Sequence, residues 1–458
     1  MPTPAATRAE RRAQDREIVR LAVPAFLALV AEPLFLLADA AFLGRVGTTE
    51  LAGLGIAAAV LQTVVGLCVF LAYGTTAAVA RRLGAGDTRG ALALGVDGLW
   101  LAVLVGTLVT AVGIPLTGPL VAAFDPGEAV AAEAVTYLRI AWLGTVPLLV
   151  LLAATGVLRG LQDTRTPLVV AVGGNALNVV LNALLVFGLG PLPALGIAGS
   201  AVGSVLAQVA MALAVTVVVV RGARRAGAPL TPDRRGIRAA GRAGVPLVVR
   251  TLTLRAALLV TTYAATLAAT SGPGDGAPGI AAHQLALTLW SFLAFVLDAV
   301  AIAAQALTGR SLGAGDVAGT RATTARMVRW GLASGAVTAV ALAAAAPVLG
   351  PVFSPDEAVH DLLWPLLLVA ALGQPLAGVV FVLDGVLIGA GDGRYLAWGG
   401  VVTLVLHAPV VLLVAAAGGG LVGVWVALVG VFMGARAVVL LRRARGDAWL
   451  VTGPTITA

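Results

Sequence analysis

Polar residues in this chain come in short bursts between long apolar runs. Twelve runs, at about 18–43, 53–79, 92–115, 130–157, 166–188, 196–220, 243–268, 280–307, 326–347, 358–388, 395–416 and 420–441, approach or exceed the roughly 20 apolar residues that a membrane-crossing helix needs. The pattern predicts an all-α integral membrane protein with twelve spans.

The bursts are sorted by charge. Arginines gather at the amino terminus (Arg8, Arg11, Arg12, Arg16, Arg20), at Arg81, Arg82 and Arg89, at Arg159 and Arg165, between 221 and 242, at Arg310, Arg321, Arg326 and Arg329, at Arg394, and at Arg442, Arg443 and Arg445. An even number of crossings separates successive clusters, so all fall on one side. The other side carries Asp125, Glu128, Asp275, Asp356, Glu357 and Asp361. Basic residues favour the cytoplasmic side, which predicts that both termini are cytoplasmic.

The chain also repeats itself. "RRLGAGDTRGA" at 81 returns as "RSLGAGDVAGT" at 310, and "GVLRGLQDTR" at 156 returns as "GVLIGAGDGR" at 385, both 229 residues on. "AVPAF" and "GVPLV", with Pro24 and Pro246, keep a spacing of 222. Six crossings per unit give both halves the same orientation, related by a pseudo-two-fold axis along the membrane normal, as in parallel-repeat transporters. The expected division is a tail at 1–17, an amino-terminal bundle at 18–220, an Arg-rich cytoplasmic linker at 221–242, a carboxy-terminal bundle at 243–441 and a tail at 442–458.

Composition agrees: 458 residues, 59% hydrophobic, 11% charged, with a mean hydropathy of +1.00. The net charge of +8 comes from arginines alone and follows topology, so it does not point to nucleic acid. The single cysteine, Cys68, lies in an apolar run and reads as a packing residue. The "LGAGD" and "GxxDxR" turns lack the spacing and Lys of a P-loop; they read as tight turns whose Gly ends one helix and whose Asp caps the next.

Ionisable residues inside a span cost free energy and mark functional sites. Glu32 and Asp39 stand seven apart in the first span, hence on one face, with Pro24 and Pro33 as bends in that helix. A carboxylate withdrawn from water takes up a proton readily, so this face can bind and release protons. The alternative is a carboxylate paired with Arg139 or a neighbouring amide. Asn175, Asn178 and Asn182 lie on one stripe of the fifth span, as cavity lining or as interhelical hydrogen bonding. In the second half, Arg250 and Arg255 of the seventh span face two readings: pairing with Asp298 or Asp384, or a cation site. His283, Gln284 and His407 make no metal cluster, no nucleophile–base pair appears, and no cofactor is expected.

The residues together resemble the multidrug and toxic compound extrusion (MATE) family, in its DinF-type branch. The segments that carry the likeness are "LAVPAFLALVAEPLFLLADAAFLGRVG", "LGAGD", "GLQDTRTPLVVAVGGNALNVVLN", "AAHQLA" and "FVLDGVLIGAGD". The resemblance implies an alternating-access antiporter that exports organic, cationic or lipophilic compounds in exchange for protons or Na⁺. It makes Asp39 the carboxylate of protonation and substrate release, Pro24 the bend of the first helix, and Glu32, Asn178 and Asn182 pocket positions. Asn182 stands where relatives often have Asp, and Arg250 and Arg255 stand in a helix that contributes a carboxylate in sodium-coupled members, which favours protons over Na⁺. The implied partners are small organic molecules, protons and membrane lipid, with the chain working as a monomer of the plasma membrane. A lipid-precursor flippase of the same superfamily and a membrane-embedded enzyme are the competing readings.

Overall fold

The computed structural model describes residues 8–188, 193–270 and 276–455, the side chains of Glu10, Arg11 and Glu32 excepted; Asp275 lies outside the described residues. Among them every regular element is helical, and twelve helices are long and apolar enough to cross a membrane. They are α1 (Arg12–Leu43, continuous with helix from Arg8), α2 (Thr48–Gly84), α3 (Thr88–Ala122), α4 (Glu128–Gly160), α5 (Arg165–Phe187) and α6 (Gly196–Arg225) in the first repeat. The second repeat holds α7 (Arg234–Thr270), α8 (Ala277–Gly313), α9 (Val317–Phe353), α10 (Glu357–Gly389), α11 (Gly393–Ala416) and α12 (Gly420–Arg445).

The expected linker, 221–242, is mostly helical: α6 runs to Arg225 and α7 starts at Arg234, leaving 226–233 between them. Apolar length placed the expected boundary, but arginine is a good helix former, and solvated Arg side chains let a helix continue past the lipid.

The repeated turns behave as their residues require. Asp87 accepts from the Gly90 N–H at 2.7 Å and Asp316 from the Gly319 N–H at 2.7 Å, capping α3 and α9. Arg82 adds an ion pair at 2.8 Å to Asp87, and these donors hold the Asp87 carboxyl below the usual carboxylate range. Gly86 and Gly315 take φ of 78° and 76°, where a Cβ would be strained. In the second motif Gly391 has φ 78° while its counterpart Gln162 has φ 63°, so the first copy keeps the left-handed turn without glycine.

Two compact units result: Val23–Gly244, and Val245–Ala458 together with the described chain up to Ala22. In the first, Leu71, Val79, Leu92, Leu149, Val157, Val215 and Val219 form one buried cluster with Cys68 at its edge, and Leu43, Leu54, Trp142 and Ile197 belong to another. In the second, glycines bring backbones together, as transmembrane helices do where nothing larger fits. Gly378 of α10 meets Gly331 of α9, and Gly385 and Gly389 lie against the carbonyls of Ala301 and Gln305 on α8. After α12 the chain folds back: Trp449 is buried, Asp447 pairs with Arg321, and the Gly453 N–H donates to the Leu312 carbonyl at 3.0 Å.

Candidate functional site

Within the first unit α1, α4, α5 and α6 bring four polar side chains to Asp39, which is 0% exposed. Asn182 donates through Nδ2 to Oδ1 at 2.5 Å, Ser204 donates through Oγ to Oδ2 at 2.9 Å, and the Tyr137 hydroxyl lies 3.5 Å from Oδ2. Asn178 completes the ring, donating to Ser204 Oγ at 3.2 Å and accepting from Asn182 Nδ2 at 3.3 Å. The groups in direct contact with Asp39 are hydrogen-bond donors, the arrangement suited to an acceptor-only group. Asn182 Oδ1 is buried with no donor; a methyl on Gly203 would sit 2.7 Å from it, so the glycine makes room for the amide.

Asp39 therefore has amide and hydroxyl partners, and the expected alternative of Arg139 is corrected: Arg139 is exposed on α4, because its position on that helix faces away from Tyr137. Asn175 stands apart from the network, donating to the Ala31 carbonyl at 2.6 Å and tying α5 to α1 near Pro33, which has no N–H to give. Pro24 and Pro33 both lie inside α1. Glu32 is in the same helix, but its side chain lies outside the described residues.

In the second unit Arg250 grips Asp384 with Nε at 3.2 Å and with Nη2, and Arg436 approaches the same carboxylate at 3.6 Å. Arg436 also lies over the Phe432 ring, 5.7 Å from its centroid. Arg255 is exposed on α7 and makes no ion pair among the described residues; the expectation that it would pair with an acid is corrected, since its helix position turns it off the bundle. Asp298 is half-buried on α8 and Gln284 is exposed. His283 accepts from Trp425 Nε1 at 3.2 Å and meets Thr262 at 3.3 Å. His407 meets Thr261 Oγ1 at 2.8 Å; that hydroxyl already donates to the Ala257 carbonyl, so Nε2 carries the proton toward it. Among the described residues no group of three or more potential ligands could hold a metal. A cavity of about 730 Å³ opens elsewhere, lined by the turn residues Asp87, Arg89 and Asp163 with Arg225 of α6.

Tyr137, Ser204 and Arg436 were not anticipated. Ser204 had a signal in the small-residue stretch "GSAVGSVLAQ", whereas Tyr137 and Arg436 sit near span ends, where aromatic and basic residues are ordinary.

A family model described as MatE matches residues 24–184 and again 253–413, the interval of the internal repeat. Multidrug resistance protein NorM of Deinococcus radiodurans, described as probable, is 33% identical over 395 residues, 83% of this chain and 84% of that protein. The Arabidopsis thaliana protein DETOXIFICATION 44, chloroplastic, is 32% identical over 92% of this chain and 80% of its own length. Among solved structures, the Vibrio cholerae MATE transporter VcmN in the bent form superposes with a TM-score of 0.84 at 21% identity, covering 96% of this chain and 99% of that one.

Proposed function

The chain belongs to the MatE family of multidrug efflux transporters, and from that premise we propose that it is a proton-coupled antiporter exporting organic cationic or lipophilic compounds by alternating access. The observation that carries this reading is the contrast between its two buried carboxylates. Asp39 is held by neutral donors alone among the described residues, so it is free to change charge. Asp384 is clasped by two guanidiniums, which repel an added cation.

Asp39 is the protonation site. As an anion it accepts from Asn182, Ser204 and Tyr137; once protonated its hydroxyl needs an acceptor, and the Asn182 amide oxygen, without a donor, supplies one by rotation. Both states are thereby satisfied, and the changed pattern of bonds from α1 to α5 and α6 alters how α1 is held near Pro24 and Pro33. Asn178 and Asn182 tune this exchange, and Asn175 anchors the helix. The protein is a carrier and not an enzyme. It works as a monomer in the plasma membrane, with both termini and the Arg-bearing turns on the cytoplasmic side.

The test is efflux of a fluorescent organic cation from proteoliposomes under an imposed pH gradient, wild type against Asp39→Asn. Proton-driven efflux in the wild type and none in a folded variant is the expected result. Efflux driven by a sodium gradient and indifferent to pH overturns the coupling, and absence of dye movement with either ion overturns the substrate class.

A further inference from the structure

The cavity of about 730 Å³ in the first unit takes no part in the Asp39 network. It opens where α3 begins, α4 ends and α6 ends, and its lining is of two kinds. Leu92, Leu158 and Val219 are buried and Val218 is exposed, which makes one part apolar. The other part is charged, with Asp87, Arg89, Asp163 and Arg225 at helix ends and turns.

These charges are unequally satisfied. Asp87 is engaged by the Gly90 N–H and by Arg82, each already described. Asp163 accepts from the Arg165 and Thr166 N–H groups at 3.1 and 3.0 Å and from the Thr166 hydroxyl at 2.5 Å. Arg89 and Arg225 are exposed and make no ion pair among the described residues. The cavity thus has its acceptors engaged and guanidinium donors to spare.

The second repeat answers the same need with its own chain. There Arg321, which stands 229 residues after Leu92, pairs with Asp447 of the segment following α12. Trp449 of that segment is 2% exposed, and the Gly453 N–H donates to the Leu312 carbonyl at the end of α8. Counted from the last residue of the sixth helix, Arg225 or Arg445, Trp449 corresponds to Pro229, which is exposed. The segment 226–233 contains no aromatic residue. Its one acid, Asp233, is committed to the start of α7, accepting from the Arg235 and Gly236 N–H groups at 3.0 and 3.3 Å. One repeat therefore brings a carboxylate and an apolar ring to its own turn, whereas the other leaves arginines beside an apolar hollow. A ligand that fits there carries both an anion and an apolar body.

We propose that this cavity binds an anionic membrane phospholipid, with Arg89 and Arg225 holding the headgroup phosphate and the leucine and valine wall taking the start of the acyl chains. Guanidinium is the side chain best matched to phosphate, and basic pockets between membrane helices bind lipid headgroups. Arginines at the ends of spans lie at the level of those headgroups. The inference goes beyond transport: it uses neither Asp39 nor Asp384, and its measurement needs no substrate or ion gradient.

Native mass spectrometry of the full chain in detergent, titrated with dioleoyl phosphatidylglycerol or dioleoyl phosphatidylcholine, reads occupancy by the first bound lipid. The wild type is expected to prefer phosphatidylglycerol. Arg89→Gln with Arg225→Gln is expected to weaken that lipid about twentyfold, two factors of roughly fivefold for charges at the membrane surface, while Arg394→Gln, an exposed arginine of the second repeat, leaves it unchanged. Gly222 lines the cavity, and a methyl there would make ordinary contact with Leu92 at 3.7 Å, so Gly222→Trp fills the hollow and is expected to exclude the lipid from a protein that still unfolds cooperatively. Equal affinity for the two lipids in the wild type, or phosphatidylglycerol binding unchanged by the paired arginine substitutions, overturns the proposal. Displacement of the lipid by inorganic phosphate at a matching concentration assigns the arginines to a soluble anion and overturns the lipid source.

Discussion

Asp384→Asn separates a structural acid from a coupling acid. The carboxylate is 9% exposed and its two guanidinium partners are 12% and 11% exposed, so the substitution keeps the volume while leaving two buried positive charges with less compensation. Breaking a buried pair by removing one partner costs about 3–5 kcal/mol; because Asn retains one acceptor oxygen, the lower end applies. Adding Arg250→Gln removes one orphaned charge and is expected to recover about half of the loss, since deleting both members of a buried pair is often close to neutral. Asp39→Asn differs in kind: its partners are uncharged, one oxygen still accepts, and the cost in stability is about 1–2 kcal/mol, that of one mismatched buried hydrogen bond. Denaturation in detergent micelles measures the first quantity, and dye efflux per folded transporter in proteoliposomes the second. Asp384→Asn should be fragile yet active once folded, and Asp39→Asn sturdy yet inactive. Equal transport loss in the two variants, or an Asp384→Asn protein that is both stable and inactive, would refute the reasoning.

Three further substitutions read other links of the same chain of argument. Ser204→Ala removes the 2.9 Å donor to Asp39 and is expected to slow efflux about tenfold, whereas Tyr137→Phe, which loses only a 3.5 Å contact, should change it about twofold; initial efflux rates decide the order. Gly378→Ala places a methyl against the backbone of Gly331, and thermal unfolding should show destabilisation of roughly 1–3 kcal/mol, the usual cost of overpacking, while Gly55→Ala, with open space around it, should be silent. Gln162→Gly relieves a left-handed residue and Gly391→Ala creates one; about 0.5–1 kcal/mol of stabilisation and a similar destabilisation are expected in the same assay.

The sequence revealed the fold because membrane spans advertise themselves: twelve apolar runs became twelve helices, and the 229-residue interval reappeared in the two segments matched by the family model. It also offered a neighbouring amide as one partner for Asp39, without naming it; the structure supplies Asn182. What it could not give was rotation. Seven residues of spacing put Glu32 and Asp39 on one face of α1, but nothing local says that Arg139 turns outward, that Arg255 leaves the bundle while Arg250 enters it, or that Arg436 of α12 joins Asp384 of α10. Those outcomes depend on which neighbouring helix fills each groove, and hydrophobicity alone is blind to that when every face is apolar.

Duplication sharpens the case for a single coupling site. Using the 222-residue spacing of Pro24 and Pro246 for the first helices and 229 for the fifth, Asp39 corresponds to Thr261 and Asn178 to His407. The second repeat keeps a bond between the same two helices, Thr261 to His407 at 2.8 Å, but places no carboxylate there. Its own buried acid, Asp384, lies on the fourth helix of the repeat instead and is neutralised by arginine. Two descendants of one hydrogen-bonding position have therefore taken different chemistry: one carries a carboxylate, and the other a hydroxyl and an imidazole that bond to each other. Thr261→Asp tests this asymmetry directly. If coupling needs only a carboxylate in a first-to-fifth-helix network, Thr261→Asp in an Asp39→Asn background restores some pH-driven efflux; if the hydroxyl and second amide supplied by Ser204 and Asn182 are required as well, efflux stays absent although the doubly substituted protein folds.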